Sequence, residues 1–322
     1  MLSNKIAIVI PCYRVKNKII QVLNDFLPHA DYIIAVDDCC PENSSDIIKK
    51  HFENNDKVQL ITHKKNLGVG GAMKTGFQAA LKTDSNIIVK VDGDGQMDSK
   101  YLKRLISPLN KKYADFSKAN RFFDLEALGS MPPTRRIGNL GLSILTKFAS
   151  GYWHISDPTN GYFAIHKKAL QQLNFIKISN DYFFETSLLI QLNIIRAKAV
   201  DIPVPAKYED EQSSLNIKKA LFQFPQKLIK GSLQRFYWRY FIHDVNAVTL
   251  FSFLGLTLTF GGTCFGSVRW IYGIIENTPQ TAGTVALSFL PIILGFQMLL
   301  QAILLDIIDK PQLLAKDRID DD

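Results

Sequence analysis

The chain has 322 residues, of which 47% are hydrophobic and 21% are charged, and its formal net charge at pH 7 is +8. This balance excludes a disordered chain, a collagen-like repeat and a small disulfide scaffold. A chain of this length makes two domains of ordinary size, or one domain with an appendage.

The first hundred residues alternate between apolar runs and segments with helical spacing. The apolar runs predict strands at residues 6–10, 32–36, 58–62 and 86–91. The segments between them predict helices at residues 16–26, 45–52 and 71–81. Continuous apolar strands separated by helices are typical of a parallel sheet with both faces covered, so we expect an α/β fold.

Polar residues stand at the ends of these predicted strands, where parallel sheets bind their ligands. The strand ends carry Pro11, Cys12, Tyr13, Asp37, Asp38, Asp92 and Asp94. Asp92 and Asp94 are hard oxygen donors, and a short turn can direct both at a divalent cation that also binds substrate phosphates. An ordinary Asp-Gly turn is the simpler explanation of the same residues. An EF-hand loop is excluded, because Met97 and Lys103 replace its required glycine and glutamate.

A glycine-rich stretch at residues 66–76 precedes and enters the third predicted helix. It is not a P-loop, because no glycine immediately precedes Lys74, and it is not a dinucleotide-binding motif, because Met73 occupies the last glycine position. The stretch can still open a helix beside a phosphate group.

Two long stretches without charge, residues 245–268 and 277–305, follow in the last third of the chain. Each exceeds the roughly 20 apolar residues that cross a bilayer as a helix, so we predict transmembrane helices at about 245–268 and 278–305. A buried core helix is the alternative explanation. The short link between them makes a hairpin, with both termini on one side of the membrane. The neighbouring basic residues predict that this side is the cytoplasm.

The segment 212–243, just before the first transmembrane helix, has six Lys or Arg residues and no acid. Its apolar residues fall on two helical faces that Pro225 separates, one with Ile217, Ala220, Leu221 and Phe224, the other with Ile229, Leu233, Phe236, Tyr237 and Tyr240. This pattern predicts two amphipathic helices on an anionic leaflet. Packing of these helices on the soluble domain is the alternative. The densest basic run abuts a membrane segment, which disfavours nucleic-acid binding.

The expected organisation is therefore a cytoplasmic domain at residues 1–211, juxtamembrane helices at 212–243, two transmembrane helices within 244–306 and a cytoplasmic tail at 307–322. This describes a multi-pass protein of the inner (plasma) membrane, without a signal peptide. Gly262 and Gly266 predict close helix packing, within the hairpin or between copies of the chain, which leaves a homo-oligomer open.

Taken together, the motifs resemble those of the family 2 glycosyltransferases. The likeness is greatest to the polyisoprenyl-phosphate glycosyltransferases, a group that includes dolichyl-phosphate mannose synthase and the bacterial undecaprenyl-phosphate enzymes. It rests on the order and spacing of residues 8–13, 36–38, 66–77, 92–96, 119–121, 135–139, 157–162 and 182–185. The resemblance implies a GT-A (Rossmann-like) domain with a mostly parallel sheet, ahead of the juxtamembrane helices and the transmembrane hairpin.

The resemblance also implies the roles of individual residues. The donor, a nucleoside diphosphate sugar, would be bound by Pro11, Tyr13, Asp37, Asp38, Gly68, Lys74, Asp92 and Gln96. The metal, Mg²⁺ or Mn²⁺, would be held by Asp92, Asp94 and Gln96. The acceptor phosphate would be bound by Arg121, Arg135 and Arg136. Catalysis would fall to Asp94, Asp157, Arg121 and Arg135.

The implied reaction is inverting, metal-dependent transfer of a monosaccharide to polyprenyl (undecaprenyl) phosphate, with membrane lipids as surroundings. A bacterial setting favours a UDP-sugar. A phosphate monoester has a second pKa near about 6, so the acceptor is mostly dianionic at neutral pH and needs little help from a base. A transferase that extends a lipid-linked oligosaccharide is an alternative, and it would need a true base, for which Asp157 is the candidate. A catalytically inactive membrane scaffold is a further alternative.

Overall fold

The computed structural model describes residues 4–122, 133–158, 160–205, 217–309, 311 and 314, and the side chains of 133–139 and 217–223 lie outside this description. The chain divides into two compact units. The first comprises Met1–Arg235 with Pro311–Asp322, and the second comprises Phe236–Lys310.

The first unit is built on one mixed sheet, to which the described residues contribute seven strands. The strands are β1 (Ile6–Cys12), β2 (Tyr32–Asp37), β3 (Val58–Thr62), β4 (Ile87–Lys90), β5 (Phe116–Asn120), β6 (Phe163–His166) and β7 (Ala199–Pro203). Their order is β3-β2-β1-β4-β6-β5-β7. Only β6 among these strands runs antiparallel to its neighbours, β4 and β5. The predicted mostly parallel α/β sheet is therefore confirmed.

Helices cover both faces of this sheet. They are α1 (Ile19–Phe26), α2 (Ser44–Phe52), α3 (Val69–Leu81), α4 (Leu102–Asn110), α5 (Pro133–Ser150), α6 (Lys167–Gln171), α7 (Phe184–Ile194) and α8 (Ile217–Tyr237). Strand β1 shows why the apolar runs are continuous. Ala7 and Val9 enter the core on one face, while Ile8 and Ile10 enter the core on the other, because successive strand side chains point to opposite faces.

Helix α8 runs unbroken through Pro225, so the predicted interruption of the basic segment at that residue is wrong. The residues flanking the proline explain this, because Phe224 and Leu228 pack with Phe183, Ile190 and other apolar residues of the first unit. This packing outweighs the one helical hydrogen bond that a proline removes. The helix therefore packs on the first unit, as the alternative predicted, while Ile229 and Leu233 are 63% and 66% exposed. Contact of this segment with an anionic leaflet stays a prediction.

The second unit is a pair of long apolar helices, α9 (Ala247–Ile275) and α10 (Ala282–Ile308), preceded by a π-helix at Trp238–His243. Both helices are long and apolar enough to cross a membrane. Helix α9 continues to Ile275, beyond Val268, where the predicted span ends. Many of their large apolar side chains are exposed, for example Phe260 at 73% and Phe289 at 61%.

Glycines bring α9 and α10 into close contact. A Cβ atom on Gly262 would lie 2.8 Å from the carbonyl oxygen of Ser288, and one on Gly266 would lie 3.1 Å from the Ser288 Cβ atom. The predicted close packing at this glycine pair thus occurs within the hairpin. The residues on either side of the hairpin are also linked, because the buried Arg239 donates to the Asp309 carboxylate at 2.6 Å.

Candidate active site

A cavity of about 940 Å³ lies beyond the carboxyl ends of the central strands. Its walls are residues 11–18, which include the end of β1 and the segment after it, Asp38 and Glu42 after β2, parts of the glycine-rich stretch, residues 92–94 after β4, and Asp181 with Tyr182. The structure therefore brings the predicted donor residues Pro11, Tyr13, Asp38, Gly68 and Asp92 together, with Asp94. It does not bring Asp37, Lys74 or Gln96 to the described wall of this cavity.

The carboxylates of Asp37 and Asp38 are buried and bonded to backbone N–H groups. Asp37 accepts hydrogen bonds from the Cys40 and Ser45 amides at 2.8 and 2.7 Å, which fixes the turn into α2. Asp38 accepts from the amides of Leu67 and Gly68 at 2.8 and 2.7 Å. These bonds hold the glycine-rich loop against the end of β2.

His63 completes the fixing of Asp38. Its Nδ1 lies 2.7 Å from Asp38 Oδ1, and its Nε2 lies 2.9 Å from the Thr75 hydroxyl on α3. The Asp38 carboxylate thus joins the end of β2 to the glycine-rich loop and to His63 after β3. The predicted donor contacts of Asp37 and Asp38 stay predictions, and of the two only Asp38 reaches the cavity wall.

The start of α3 packs directly on the backbone of residues 179–180. The amides of Gly70 and Gly71 both donate to the Asn180 carbonyl, at 2.8 and 3.2 Å. Gly68 has a φ of +84°, and a Cβ atom there would lie 2.5 Å from the same carbonyl oxygen. The glycines are required for this close approach. Because a protein carbonyl already takes these two amides, they are not a phosphate cradle in this arrangement.

Asp92 and Asp94 follow β4 and face the cavity, as the strand-end pattern predicts. Asp94 Oδ1 accepts a hydrogen bond from the Gln96 amide at 3.0 Å, which closes the turn. The Lys90 ammonium lies 2.6 Å from Asp92 Oδ1 and 3.4 Å from Glu185 Oε1. Burial lowers the pKa of Lys90, but the charges of Asp92 and Glu185 outweigh it, so this pKa lies above its ordinary value.

The described residues contain no group of three or more His, Cys, Asp or Glu side chains that could hold a metal ion. Two carboxylates at an open cavity fit a cation that completes its coordination with waters and substrate phosphates, as Mg²⁺ usually does. The donor set therefore suits the predicted metal, with Asp92 and Asp94 as the residues that would hold it. The part of Gln96 as a ligand stays a prediction.

Arg121 and Asp157, predicted to serve the acceptor and catalysis, are bonded to each other. The guanidinium donates from Nε to Asp157 Oδ2 at 2.7 Å and from Nη2 to Oδ1 at 3.1 Å. Asp157 is fully buried, whereas the Arg121 side chain is 31% exposed. A buried carboxylate held by a bidentate arginine is poorly placed to reach a substrate proton, which disfavours Asp157 as a general base.

Asp201 on β7 holds the two segments that carry this pair. Its Oδ2 accepts from the side-chain amide of Asn120 at 2.6 Å and from the Ser156 amide at 2.7 Å. Burial raises the pKa of Asp201 to about 6. On the neighbouring strand β5, the buried Lys118 donates to the Asn160 carbonyl, and burial lowers its pKa to about 8.

Helix α8 reaches the cavity wall through Lys227, which forms an ion pair with Asp181. Burial raises the pKa of Asp181, but the hydrogen bond from Lys227 and others outweigh it, so the pKa lies below its ordinary value. Arg235, further along α8, donates to the carbonyls of Ala149 and Phe148 at the end of α5, at 3.1 and 3.3 Å. The predicted acceptor residues Arg135 and Arg136 lie in the first turn of α5, and their side chains are outside the described residues.

Comparison with known proteins decides the family. A profile of the glycosyl transferase family 2 matches residues 7–173, more than half of the chain, including the cavity residues of β1, β2 and β4. The chain belongs to glycosyl transferase family 2. It is therefore a glycosyltransferase, as the motifs predicted.

Two curated proteins illustrate the relatives of this glycosyltransferase. It is 33% identical over 187 residues to the UDP-N-acetylglucosamine–dolichyl-phosphate N-acetylglucosaminyltransferase of Methanococcus voltae, which covers 54% of this chain and 74% of the relative. It is 22% identical over 242 residues to the polyprenol monophosphomannose synthase of Mycolicibacterium smegmatis, which covers 72% of this chain and 90% of the relative.

A solved structure supports the fold. Glucosyl-3-phosphoglycerate synthase from Mycobacterium tuberculosis, in complex with Mn²⁺, UDP-glucose and phosphoglyceric acid, superposes with a TM-score of 0.53. The sequence identity is 16%, and the match covers 72% of this chain and 80% of that chain. The likeness confirms the expected GT-A-like α/β fold of this glycosyltransferase.

Several residues of the site escaped the sequence analysis. Lys90 and Asp201 are charged residues in apolar elements, a signal that was visible but did not indicate their partners. Glu185 belongs to the motif at residues 182–185, but the motif gave it no role. His63 and Lys227 were not singled out as site residues, because their contacts with Asp38 and Asp181 depend on the tertiary fold.

Proposed function

We propose that this glycosyltransferase moves a monosaccharide from a nucleoside diphosphate sugar, with a UDP-sugar favoured, to polyprenyl phosphate such as undecaprenyl phosphate. The observation that carries the proposal is the combination in one chain of a cavity bearing Asp92 and Asp94 with two helices long and apolar enough to cross a membrane. The relatives named for dolichyl phosphate and polyprenol as acceptors support the same class of acceptor.

The charged groups suit the two anionic substrates. A divalent cation, Mg²⁺ or Mn²⁺, would neutralise the diphosphate leaving group, with Asp92 and Asp94 as its protein ligands. The acceptor phosphate carries its own nucleophilic oxygen and is mostly dianionic at neutral pH. The pairing of Asp157 with Arg121 supports a reaction without a strong general base. Direct attack by the acceptor oxygen would invert the configuration at the anomeric carbon.

An apolar surface on the first unit suits a lipid acceptor. On α5, Leu140, Ile144, Leu145 and Phe148 form one outward stripe, each between 47% and 62% exposed. On α8, Ile229 and Leu233 are exposed at helical spacing. Such faces favour contact with the interfacial region of a bilayer, and the adjacent basic residues favour the cytoplasmic leaflet. We further propose that the first unit and both termini lie on the cytoplasmic side of the inner membrane.

The test uses the full chain purified in detergent, undecaprenyl phosphate, Mn²⁺ or Mg²⁺, and a panel of labelled UDP- and GDP-sugars. We expect one donor to yield labelled lipid whose sugar has the opposite anomeric configuration, and Asp94→Asn to abolish this product. Label found only on a lipid-linked oligosaccharide would show that the enzyme extends a glycan. Failure of every nucleotide sugar to bind would favour an inactive scaffold.

A further inference from the structure

Lys90 is the last residue of β4, and its buried ammonium lies behind the cavity, near two carboxylates. Its side chain is 1% exposed, and its ammonium lies 2.6 Å from Asp92 Oδ1 and 3.4 Å from Glu185 Oε1. Glu185 comes from the first turn of α7 and is 14% exposed. A buried ammonium is stable only when acids compensate it, and these two carboxylates do so.

Gly161 fixes the other side of Asp92. A Cβ atom at this position would lie 2.2 Å from the Lys90 ammonium and 2.3 Å from Asp92 Oδ2. The Asp92 carboxylate therefore has Lys90 against one oxygen and the Gly161 backbone against the other. Its side chain is 30% exposed towards the cavity. These contacts leave little freedom for Asp92 to turn towards a bound cation.

Lys90 brings an ammonium to the carboxylates at this end of β4. Asp92 and Asp94 line the cavity and Glu185 lies behind them, whereas the basic residues of the cavity wall, Arg14, Lys16 and Lys18, come from the segment after β1. The Lys90 ammonium lowers the negative potential at the cavity. It also competes directly with a cation for one oxygen of Asp92.

We propose that Lys90 is a positioning residue that holds Asp92 and sets the charge of the donor site, with Glu185 as its counter-ion. This inference rests on the proposed binding of a nucleoside diphosphate and a divalent cation at the cavity. In this arrangement Lys90 occupies one carboxylate oxygen of Asp92, so a cation would bind Asp92 only weakly. Its other ligands would be Asp94, water and the diphosphate. Lys90 thereby balances affinity for the cation against affinity for the anionic donor.

The test measures binding rather than turnover, with the full chain in detergent and calorimetry of Mn²⁺ alone and of UDP or GDP without metal. Lys90→Met keeps an unbranched side chain only one atom shorter and removes its charge. We expect Mn²⁺ to bind about threefold to tenfold more tightly and the metal-free nucleotide to bind more weakly by a similar factor. Opposite changes of the two affinities cannot come from a simple loss of structure.

Glu185→Gln tests the same idea in the other direction. Without its second acid, Lys90 is more fully engaged with Asp92, so Mn²⁺ should bind more weakly than in the parent. If Lys90→Met shows no cooperative melting transition and is therefore not folded, Glu185→Gln replaces it as the test variant. Lys118→Met is the control for loss of a buried ammonium that donates to the Asn160 carbonyl and not to Asp92. Because the charge of Lys118 also acts on Glu185 and Lys90, we expect a shift in the Mn²⁺ affinity that is smaller than that of Lys90→Met.

The outcomes separate this inference from the proposed function. If the parent binds Mn²⁺ and nucleotide but Lys90→Met changes neither affinity, or weakens both together, the role of Lys90 is wrong while the proposed function stands. A shift in Lys118→Met equal to that in Lys90→Met would overturn the specific link to Asp92. If the parent binds neither Mn²⁺ nor any nucleotide, both proposals fail.

Discussion

Asp201 makes the stability of the first unit depend on pH. Its ordinary pKa is 3.8, and burial raises the pKa in the folded protein to about 6. The folded protein therefore binds this proton more tightly than the unfolded chain does. The free energy of unfolding falls as pH rises from about 4 to about 6, and this contribution is lost above the folded pKa.

The magnitude follows from the size of this change. A difference of about two pKa units corresponds to about 3 kcal/mol, at about 1.4 kcal/mol per unit. In Asp201→Asn the amide oxygen still accepts from Asn120 and Ser156, while the titrating group is gone. We expect the stability of the variant relative to the parent to rise by about 2–3 kcal/mol between pH 4 and pH 7. For a chain of this size that is about 3–5 °C in Tm.

The assay is a series of melting curves of parent and variant in detergent at half-unit steps of pH. Asp56→Asn, the same substitution at an exposed carboxylate, controls for the change in net charge. A Tm difference between Asp201→Asn and the parent that stays constant from pH 4 to pH 7 would refute the reasoning. If the Tm of Asp201→Asn relative to the parent fell as pH rises, the direction of the pKa change inferred for Asp201 would be wrong.

Three further substitutions test the site, the hairpin and the apolar stripe. Arg121→Lys keeps the charge but loses the two-point contact with Asp157, so we expect kcat to fall by roughly tenfold or more, and an unchanged kcat would show that the pair has no catalytic importance. Gly262→Val should lower the Tm, because its added atoms meet the facing helix. Gly261→Val is the control and should leave the Tm unchanged, because no neighbouring atom lies within 4 Å of a Cβ there. Equal effects of the two substitutions would contradict the packing. Ile144→Glu should reduce transfer to long-chain acceptor in liposomes more than transfer to a short-chain soluble acceptor in detergent, and equal losses on both would argue against lipid contact.

The general architecture was predictable because it depends on local patterns. Continuous apolar runs indicated strands buried on both faces, and the two core clusters that share β1 are the direct consequence. The acids at the end of β4 indicated a ligand site, since the carboxyl ends of parallel strands meet at one edge of the sheet. Uncharged stretches long enough to cross a bilayer indicated the helical hairpin.

The basic segment before the hairpin shows where local patterns mislead. Pro225 predicted an interruption, because a proline removes a helical hydrogen bond. Packing of Phe224 and Leu228 on the first unit keeps the helix continuous instead. That contact involves α5, α7 and α8, which are far apart in the chain, so no window of sequence around Pro225 contains it.

The sequence by itself determined the class of fold, the position of the site at the strand ends and the presence of two long apolar helices. Only the tertiary structure decided which charged groups pair. Arg121 with Asp157, Lys90 with Asp92 and Glu185, and Asp38 with the glycine-rich loop all follow from the folded chain. The physical reason is that apolar periodicity is a property of neighbouring residues, whereas the partner of a buried charge is whichever group another element brings within hydrogen-bonding distance.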